Sequence, residues 1–262
     1  LFHRKWPSGY TCPKCGHDRF YLLSCRSLYQ CRNCHHQCSL TSGTIFAASK
    51  LPLTIWFLAI FLLTQAKEGK SALSLGRFLG VSANGALRMK HKLQQVMKNA
   101  DDNLQLIGLV ELDDVYWGGK RPGGKRGRGA GGKTSFLAGI ARNEEGHPIH
   151  MRMSRVGSFT SSEINRWSEK HIHKDSLVVT DGFSAFIGLS LAGFEHDSVV
   201  MSERYKNPDN KVFLWANTMI GNVKRAINGT YHAISQKHLP RYLAEFCFRF
   251  NNRFQLECMV GA

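Results

Sequence analysis

Two Cys-x-x-Cys pairs near the start of the chain constrain its fold more than any other feature. Cys12 and Cys15 form the first pair, Cys31 and Cys34 form the second, and fifteen residues separate the pairs. This spacing is typical of a four-thiolate zinc site in a ribbon fold. The segment "FYLLSCRSLYQ" between the pairs predicts two short strands. A unit of about 30 residues buries too little apolar surface to fold alone, so we expect structural Zn²⁺ to stabilise residues 1–45.

Other side chains of metal-binding type surround these four thiols. Six of the eight cysteines lie between Cys12 and Cys38, and this clustering favours a metal over disulfides. Five nearby residues could each replace one of the four ligands: Cys25, Cys38, His17, His35 and His36. The alternative is that the thiols serve redox chemistry or have no function.

The charge of the chain points to a polyanionic partner. At 262 residues the chain can form one main domain with one or two small ones. Lysine and arginine total 35 against 19 acidic residues, a net charge of +16, which suits a partner with many phosphates. Ribosomal and chaperone-like proteins can be equally basic.

No signal peptide is recognisable and the apolar run Leu51–Leu63 is too short to span a bilayer, so we expect a cytoplasmic protein.

The region 46–103 has the pattern of a helical segment. "LPLTIWFLAIFLLTQAKEG" is apolar on nearly all sides, which predicts a helix buried among other helices. A second helix containing Leu75 and Leu79 is expected next, then a turn at Gly80–Ser82 and a third helix from about Ala83. The last two helices have the outline of a helix-turn-helix.

The last helix of this region is basic. It carries Arg88, Lys90 and Lys92, with His91 among them. Such a helix could enter the major groove of DNA. A solvated basic face on an ordinary helical hairpin explains the same pattern.

Two aspartates each close a short apolar run. Asp113 lies in "VELDDVYWGG" and Asp181 in "LVVTDGF", and both runs predict buried strands. The two-residue period of a strand places Glu111 and Asp113 on one side and Asp114 on the other. Carboxylates at the ends of neighbouring strands can hold divalent metals against a phosphodiester. The alternative is that each aspartate caps a turn or, for Asp181, the helix that follows.

A predicted helix, "VFLWANTMIGNVKRAINGTYH", follows the second aspartate. Ile220, Val223 and Ile227 have the spacing of one apolar face. Asn217 and Lys224 are seven residues apart and share another face, so one helix could present an oxygen ligand together with a cation. Alone, this pattern would also fit a solvated polar face.

The segment "GGKRPGGKRGRGAGGK" holds eight glycines and six basic residues. This composition predicts a loop that could clamp a DNA backbone with five basic side chains: Lys120, Arg121, Lys125, Arg126 and Arg128. Gly127–Thr134 also matches the phosphate-loop pattern, which requires a strand before it and a helix after it. The sequence that follows instead predicts a strand hairpin, so nucleotide hydrolysis is the least favoured interpretation.

Several of these motifs, taken in order, resemble bacterial insertion-sequence transposases of the ISXO-like group. They are the paired Cys-x-x-Cys motifs, "TSGTIF", "VELDDVYWGGKRPGGKRGRG", "VVTDGF" and "NTMIGNVKRAINGTYH". The resemblance covers almost the whole chain. It implies an α/β catalytic domain with an RNase H-like fold over 104–262, a mixed sheet with flanking helices, preceded by a zinc ribbon over 1–45 and a helical DNA-binding region over 46–103.

The resemblance also implies roles for particular residues. Asp113 and Asp181 match the first two metal-binding acids, Asn217 falls at the third position, and Lys224 matches a lysine seven residues later. The implied cofactors are two Mg²⁺ or Mn²⁺ ions, and the implied partners are the DNA of element ends and of the target. A homo-oligomer that joins two ends near the nucleoid is expected.

Asn217 stands where many DNA transposases carry glutamate. Its amide oxygen can coordinate Mg²⁺ but brings no charge and cannot act as a base. Glu111, Asp114 or Glu245 could compensate. A catalytically silent, zinc-dependent DNA-binding protein is therefore the main alternative function.

Overall fold

The computed structural model describes residues 1–118, 132–199 and 213–255. Two compact units, Leu1–Trp56 and Phe57–Ala262, divide the chain within one helix. The first unit contains α1, β1, β2 and β3: Phe2–Lys5, Phe20–Leu23, Leu28–Cys31 and Gln37–Ser39. Helix α2, Leu53–Gln65, spans the division. The second unit contains, in chain order, α3 Ala72–Leu79, α4 Ala83–Asp101, β4 Leu109–Trp117, β5 Thr134–Arg142, β6 Pro148–Arg155, α5 Ser161–His171, β7 Leu177–Asp181, α6 Gly188–Leu191, β8 Glu195–Val199, α7 Leu214–Tyr231 and α8 Leu239–Asn251.

The first unit is a small antiparallel sheet over an aromatic core. The strand order is β1-β2-β3, which confirms the two short strands predicted between the cysteine pairs. Its core is small and consists of aromatic rings and cysteines: Trp6, Tyr10, Cys12, Cys31 and Cys38, with Phe2, Phe20 and Tyr29 against them. A core of this size favours a fold that depends on an added cross-link or metal.

Helices α3 and α4 form the predicted helix-turn-helix outline. The Ser71 hydroxyl accepts a hydrogen bond from the Ser74 amide and caps α3. Gly80 ends α3 with φ +65°, a left-handed conformation that glycine adopts without strain. The Ser82 hydroxyl then caps α4 through the Gly85 amide. Local sequence thus determines both boundaries of the turn.

The second unit is built on a five-stranded mixed sheet in the order β6-β5-β4-β7-β8. Strands β4, β5 and β6 are antiparallel neighbours, whereas β7 runs parallel to both β4 and β8. Three consecutive antiparallel strands followed by two parallel ones are the strand order of the RNase H-like fold. The predicted α/β class and fold are confirmed, as is the hairpin expected after the glycine-rich segment.

Helices cover both faces of this sheet, as a mixed α/β architecture requires. One face packs against α7 and α8 through a large buried cluster that includes Val115, Phe136, Val179, Ile220, Val223, Ile227 and Phe246. The other packs against α5 through a second cluster that includes Leu112, Leu137, Val178, Ile164 and Trp167. The apolar face predicted for α7 is confirmed.

Helix α2 is less buried than its sequence predicts. Phe57, Leu58 and Phe61 are exposed, while Ala59 and Leu63 are fully buried. The prediction of burial on all sides was wrong for one face of this helix. In the described ranges, no helix combines the length and the apolar character needed to cross a bilayer.

Candidate metal centres

The two strand-end aspartates lie side by side. Strand β4 pairs with β7 up to Leu112 and Thr180, so Asp113 and Asp181 are the residues that directly follow the last pair. Because the two strands are parallel neighbours, their C-terminal ends lie next to each other at the same end of the sheet. One Asp181 oxygen accepts a hydrogen bond from the Phe183 amide at 3.1 Å, which orients the carboxylate.

Asp114 joins these two residues. One carboxylate oxygen from each of Asp113, Asp114 and Asp181 lies within 4.8 Å of the other two. The two-residue period of a strand predicted that Asp114 lies on the other side of the sheet from Asp113. The sequence therefore did not predict that the three carboxylates form one group. Strand β4 remains paired with β5 through Trp117, so beyond Leu112 only its β7 side is open, beside Asp113 and Asp114.

Asp113 is electrostatically strained without a cation. Burial, followed by the charges of Asp114 and Asp181, raises the pKa of Asp113 to about 7. Burial lowers the pKa of Lys224, while the charge of Asp113 raises it. Lys224 on α7 is therefore close enough to Asp113 to interact with it.

Lys133 is a basic residue of this site that the sequence did not single out for it. Its charge lowers the pKa of Lys224, so the two ammonium groups are close enough to interact. The Lys133 ammonium also lies 5.8 Å from the centre of the Tyr116 ring. In the sequence, Lys133 belongs only to the phosphate-loop pattern. Residue Thr134 begins strand β5 and not a helix, so this context disfavours nucleotide binding.

The site fits a divalent cation bound through oxygen. Mg²⁺ holds oxygen ligands at about 2.1 Å, so two ligands on opposite sides of one ion are about 4.2 Å apart. Separations within 4.8 Å need only small side-chain rotations to reach that value. A cation would also remove the repulsion that raises the pKa of Asp113.

Asn217 lies in the first turn of α7 and is exposed. Its amide nitrogen donates to the Phe213 carbonyl at 2.9 Å, which assigns the amide oxygen as the atom available to a metal. The residue before the helix, Phe213, has a left-handed φ of +62°, and its side chain does not cap the helix. The position of Asn217 therefore depends on what holds this start of α7.

The four predicted zinc ligands form one group in the first unit. Cys12, Cys15, Cys31 and Cys34 lie with their sulfur atoms within 4.8 Å of one another. The Cys12–Cys34 and Cys15–Cys31 sulfur distances are both 3.6 Å. Tetrahedral Zn²⁺ with bonds of about 2.3 Å places its sulfur ligands about 3.8 Å apart. The group matches a tetrahedral zinc site, and in this described region it includes none of the five spare ligands.

The thiols of this group compete for protons. Burial raises the pKa of Cys12, but the amides of Lys14 and Cys15 outweigh it and lower the pKa to about 6. The amide of His17 lowers the pKa of Cys15. The amide of His36 lowers the pKa of Cys34, yet burial and the neighbouring sulfurs raise it to about 12. Backbone amides thus favour thiolates in the first knuckle, the form that binds zinc.

Lys90, predicted to contact DNA, is buried. Its side chain is fully enclosed, and the ammonium donates to the Lys70 carbonyl and the Tyr231 hydroxyl, both at 2.6 Å. It lies 3.3 Å from the carboxylate of Glu245, which also pairs with Arg249 at 2.7 Å. Burial lowers the pKa of Lys90 to about 8. The prediction for Lys90 was wrong because the partner that neutralises its charge is on α8, far along the chain.

The other predicted DNA contacts differ in how far the structure describes them. Arg88 and Lys92 are exposed on α4, on the surface that Lys90 does not reach. The five basic residues predicted in the glycine-rich segment lie outside the described residues: Lys120, Arg121, Lys125, Arg126 and Arg128.

An RNase H-like sheet with carboxylates at the ends of adjacent parallel strands, joined to a four-cysteine ribbon, defines a nuclease-type enzyme with an accessory zinc-binding unit. The chain belongs to the family of ISXO2-like transposase domains, whose profile matches residues 105–251. Residues 1–37 match the transposase zinc-ribbon domain. A protein from Halobacterium salinarum, described as an uncharacterised protein in transposable element ISH50, is 24% identical over 268 residues and covers 94% of this chain and 86% of its own length.

Solved structures with similar folds come from integrases and transposases. The catalytic core domain of BIV integrase is 11% identical and superposes with a TM-score of 0.32, over 52% of this chain and 80% of its own. The Mos1 mariner paired-end complex with Mn is 10% identical, with a TM-score of 0.26 over 74% of each chain. With TM-scores this low, the assignment of the fold depends on the strand order and the family profile.

Proposed function

We propose that this chain cleaves DNA strands at insertion-sequence ends and joins them to target DNA, with Mg²⁺ or Mn²⁺ as the catalytic cation. The observation that carries the proposal is the group of three carboxylates, Asp113, Asp114 and Asp181, within 4.8 Å at the edge of the sheet of a transposase-family domain. Nucleases and strand-transfer enzymes use such oxygen-rich sites because hard cations bind there.

The chain's own residues divide the work as follows. Asp113 and Asp181 are metal ligands on rigid strands, and Asn217 adds a neutral oxygen ligand from α7. When bound, two cations supply the Lewis acid that activates an attacking water or 3′-hydroxyl. Asp114 compensates for the charge that Asn217 lacks, because its carboxylate already belongs to the group.

Two lysines face the same site. We assign to Lys224, beside Asp113, the binding of a phosphate oxygen next to the scissile bond, which suits a compact positive charge. We assign to Lys133, whose charge acts on Lys224, the binding of a neighbouring phosphate. Both roles require charged side chains in a partly buried site, and anionic DNA would favour that form.

DNA binding is proposed for two further parts of the chain. The exposed Arg88 and Lys92 of α4 would contact one duplex, and the basic residues of the glycine-rich segment would contact its backbone. The division into a ribbon at 1–45, a helical reader at 46–103 and a catalytic part at 104–262 is part of this proposal. So are a homo-oligomer that brings two ends together and a cytoplasmic location at the nucleoid.

The test is strand cleavage of DNA that carries the element ends. We expect Mg²⁺-dependent nicking by the wild type and a loss of about 10²–10³-fold or more in Asp181→Ala, the size of effect seen when a transition-state-stabilising group is removed. Asp175→Ala removes a strongly exposed carboxylate close to the same strand and should cleave normally. Both variants should bind the DNA like the wild type. Cleavage that persists in Asp181→Ala would contradict the assignment.

A silent, zinc-dependent DNA-binding protein is the second candidate. The neutral Asn217 favours it, because the site has one fewer charge where many transposases have glutamate. In that case the wild type would bind element ends but show no metal-dependent nicking. Asn217→Glu would then be the informative variant, since an added carboxylate could restore cleavage.

A further inference from the structure

Glu111 is a fully buried carboxylate two residues before Asp113 on β4. The strand period directs it to the same face of the sheet as Asp113, the face covered by α7. Ionised side chains are rarely enclosed without a partner of opposite charge or a set of hydrogen-bond donors. The contacts of Glu111 show what it does there.

The Glu111 carboxylate holds the start of α7. One oxygen accepts a hydrogen bond from the Ala216 amide at 2.7 Å, within the buried interior. The other oxygen lies 3.3 Å from the guanidinium of Arg142, the last residue of β5. The carboxylate thereby links two strands of the sheet to one helix.

Helix α7 has no cap of its own at this end. The residue before it, Phe213, supplies no side-chain hydrogen bond, and its first turn contains no acidic residue. Ala216 is the third residue of the helix, where an N-cap side chain normally accepts. Glu111 takes that role from a strand, and its negative charge also suits the positive end of the helix dipole.

A second contact fixes the same turn. The indole nitrogen of Trp215 donates to the Gly146 carbonyl at 2.7 Å, in the turn between β5 and β6. The first turn of α7 is therefore attached to the sheet through two consecutive residues. Asn217 is the next residue, and Lys224 lies two turns further along the same helix.

We infer that Glu111 is a positioning residue that sets the placement of Asn217 and Lys224 relative to Asp113 and Asp181. This inference rests on the function proposed above. One carboxylate on the strand that carries Asp113 also fixes the helix that carries the other two groups. A shift of α7 would move Asn217 and Lys224 together while leaving both aspartates in place.

The test compares Glu111→Gln with Glu245→Gln in the full-length, zinc-bound protein. Both replace a fully buried glutamate of the second unit by its amide, but Glu245 contacts Lys90, Arg249 and Tyr231 at the far end of α7 instead of α7's first turn. Three quantities are measured: Mn²⁺ affinity by calorimetry, cleavage rate, and hydrogen exchange of the peptide around Ala216. If Glu111→Gln is too mild, Glu111→Met removes the acceptor as well.

We expect Glu111→Gln to weaken Mn²⁺ binding and slow cleavage by about 10–100-fold, the range found when an outer-shell partner of a metal site is lost. Hydrogen exchange at the start of α7 should accelerate, and DNA binding should be unchanged. Glu245→Gln should lower the unfolding temperature but leave these three quantities unchanged in the folded protein.

Two outcomes would separate this inference from the proposed function. Normal Mn²⁺ affinity and cleavage in both Glu111 variants, with faster exchange at α7, would make Glu111 a structural cap only and overturn the inference. A wild type that does not cleave, yet binds Mn²⁺ more tightly than Glu111→Gln, would overturn the proposed function and leave the positioning role supported.

Discussion

The ribbon and the catalytic sheet each gather metal ligands within 4.8 Å, but they do so in opposite ways. In the ribbon, the cysteines come from two short knuckles around a core of a few aromatic rings. In the sheet, the aspartates extend from strands that are already buried between two large apolar clusters. We therefore expect the first group to depend on its metal for folding, whereas the second lies on a sheet that is supported by its own core.

The difference indicates what each metal contributes. Zinc bound by four thiolates replaces the apolar core that the ribbon lacks, so its binding free energy is folding free energy. A cation at the carboxylates would relieve their mutual repulsion in a domain that folds without it. Its binding is therefore not needed for folding and can serve catalysis. Structural and functional metal sites can thus be distinguished by the size of the core that supports the ligands.

Removal of zinc should have the largest effect. We expect Cys31→Ser, which replaces a fully buried ligand, to unfold the ribbon while the five-stranded sheet remains intact. Hydrogen exchange should show the loss of protection at β1, β2 and β3 only. Cys25→Ser is the matched control, because Cys25 is exposed and lies outside the group. A ribbon that keeps its protection without zinc would remove the contrast between the two units.

The second unit should be sensitive instead to its buried ion cluster. Glu245→Gln leaves Lys90 and Arg249 enclosed without their carboxylate, which should lower the free energy of unfolding by about 3–5 kcal/mol in urea denaturation. Burial raises the pKa of Glu245, but the charges of Lys90 and Arg249 outweigh burial and lower this pKa below its ordinary value. Glu245 is therefore ionised in the folded protein.

The control for this prediction is an exposed pair. Glu163→Gln removes the partner of Arg166 on α5, and we expect a change of about 1 kcal/mol or less. Equal effects of the two substitutions would mean that the buried cluster contributes no more than a surface pair.

Asp113 should make the metal-free sheet less stable as the pH rises. Its folded pKa, about 7, exceeds the ordinary value of 3.8, so the folded state binds the proton more tightly than the unfolded state. Stability due to this group is present below about pH 4 and is lost between pH 4 and 7. Asp113→Asn should abolish cleavage but raise stability at pH 8 by roughly 2–4 kcal/mol, since one pKa unit is about 1.4 kcal/mol.

This effect is measured as unfolding temperature against pH, with zinc retained and no Mg²⁺ added. Added Mg²⁺ should stabilise the wild type more at pH 8 than at pH 5, because the ion competes with the proton for Asp113. Asp175→Asn, at an exposed position, should follow the wild-type curve. A wild-type curve that does not fall between pH 4 and 7 would show that Asp113 is not strained.

The sequence predicted the features that depend on short segments. The ligands of the ribbon follow from the spacing of two cysteine pairs, and Asp113 and Asp181 follow from apolar runs that end in an acid. The helix-turn-helix outline follows from the spacing of Leu75 and Leu79 and from the turn at Gly80–Ser82, which are local features.

The features that sequence reasoning missed depend on contacts between distant segments. Asp114 belongs to the carboxylate group although β4 stays paired with β5 at this position, and a two-residue period contains no information on where the pairing with β7 ends. The role of Glu111 requires a backbone amide of α7 as its partner, and no residue pattern marks such a partner. Lys90 looked like a surface cation because Glu245 lies on a helix near the other end of the chain.

The smallest predicted effect separates surface from buried charge on α4. Arg88→Ala and Lys92→Ala each remove an exposed cation, so each should weaken DNA binding for all sequences and reduce the slope of log affinity against log salt by about 1. Lys90→Met removes a cation that is already neutralised inside the protein, so it should lower the unfolding temperature and leave the salt slope unchanged. The measurement is fluorescence anisotropy of a labelled element-end duplex over a range of salt concentrations, at a temperature where every variant is folded.

If Lys90→Met reduced the slope as much as Arg88→Ala, the ammonium would have to leave Glu245 when DNA binds, and α4 would be able to rearrange. If neither exposed residue changed the slope, the helix-turn-helix outline would be a packing element of the second unit, and recognition of DNA would rest on the glycine-rich segment.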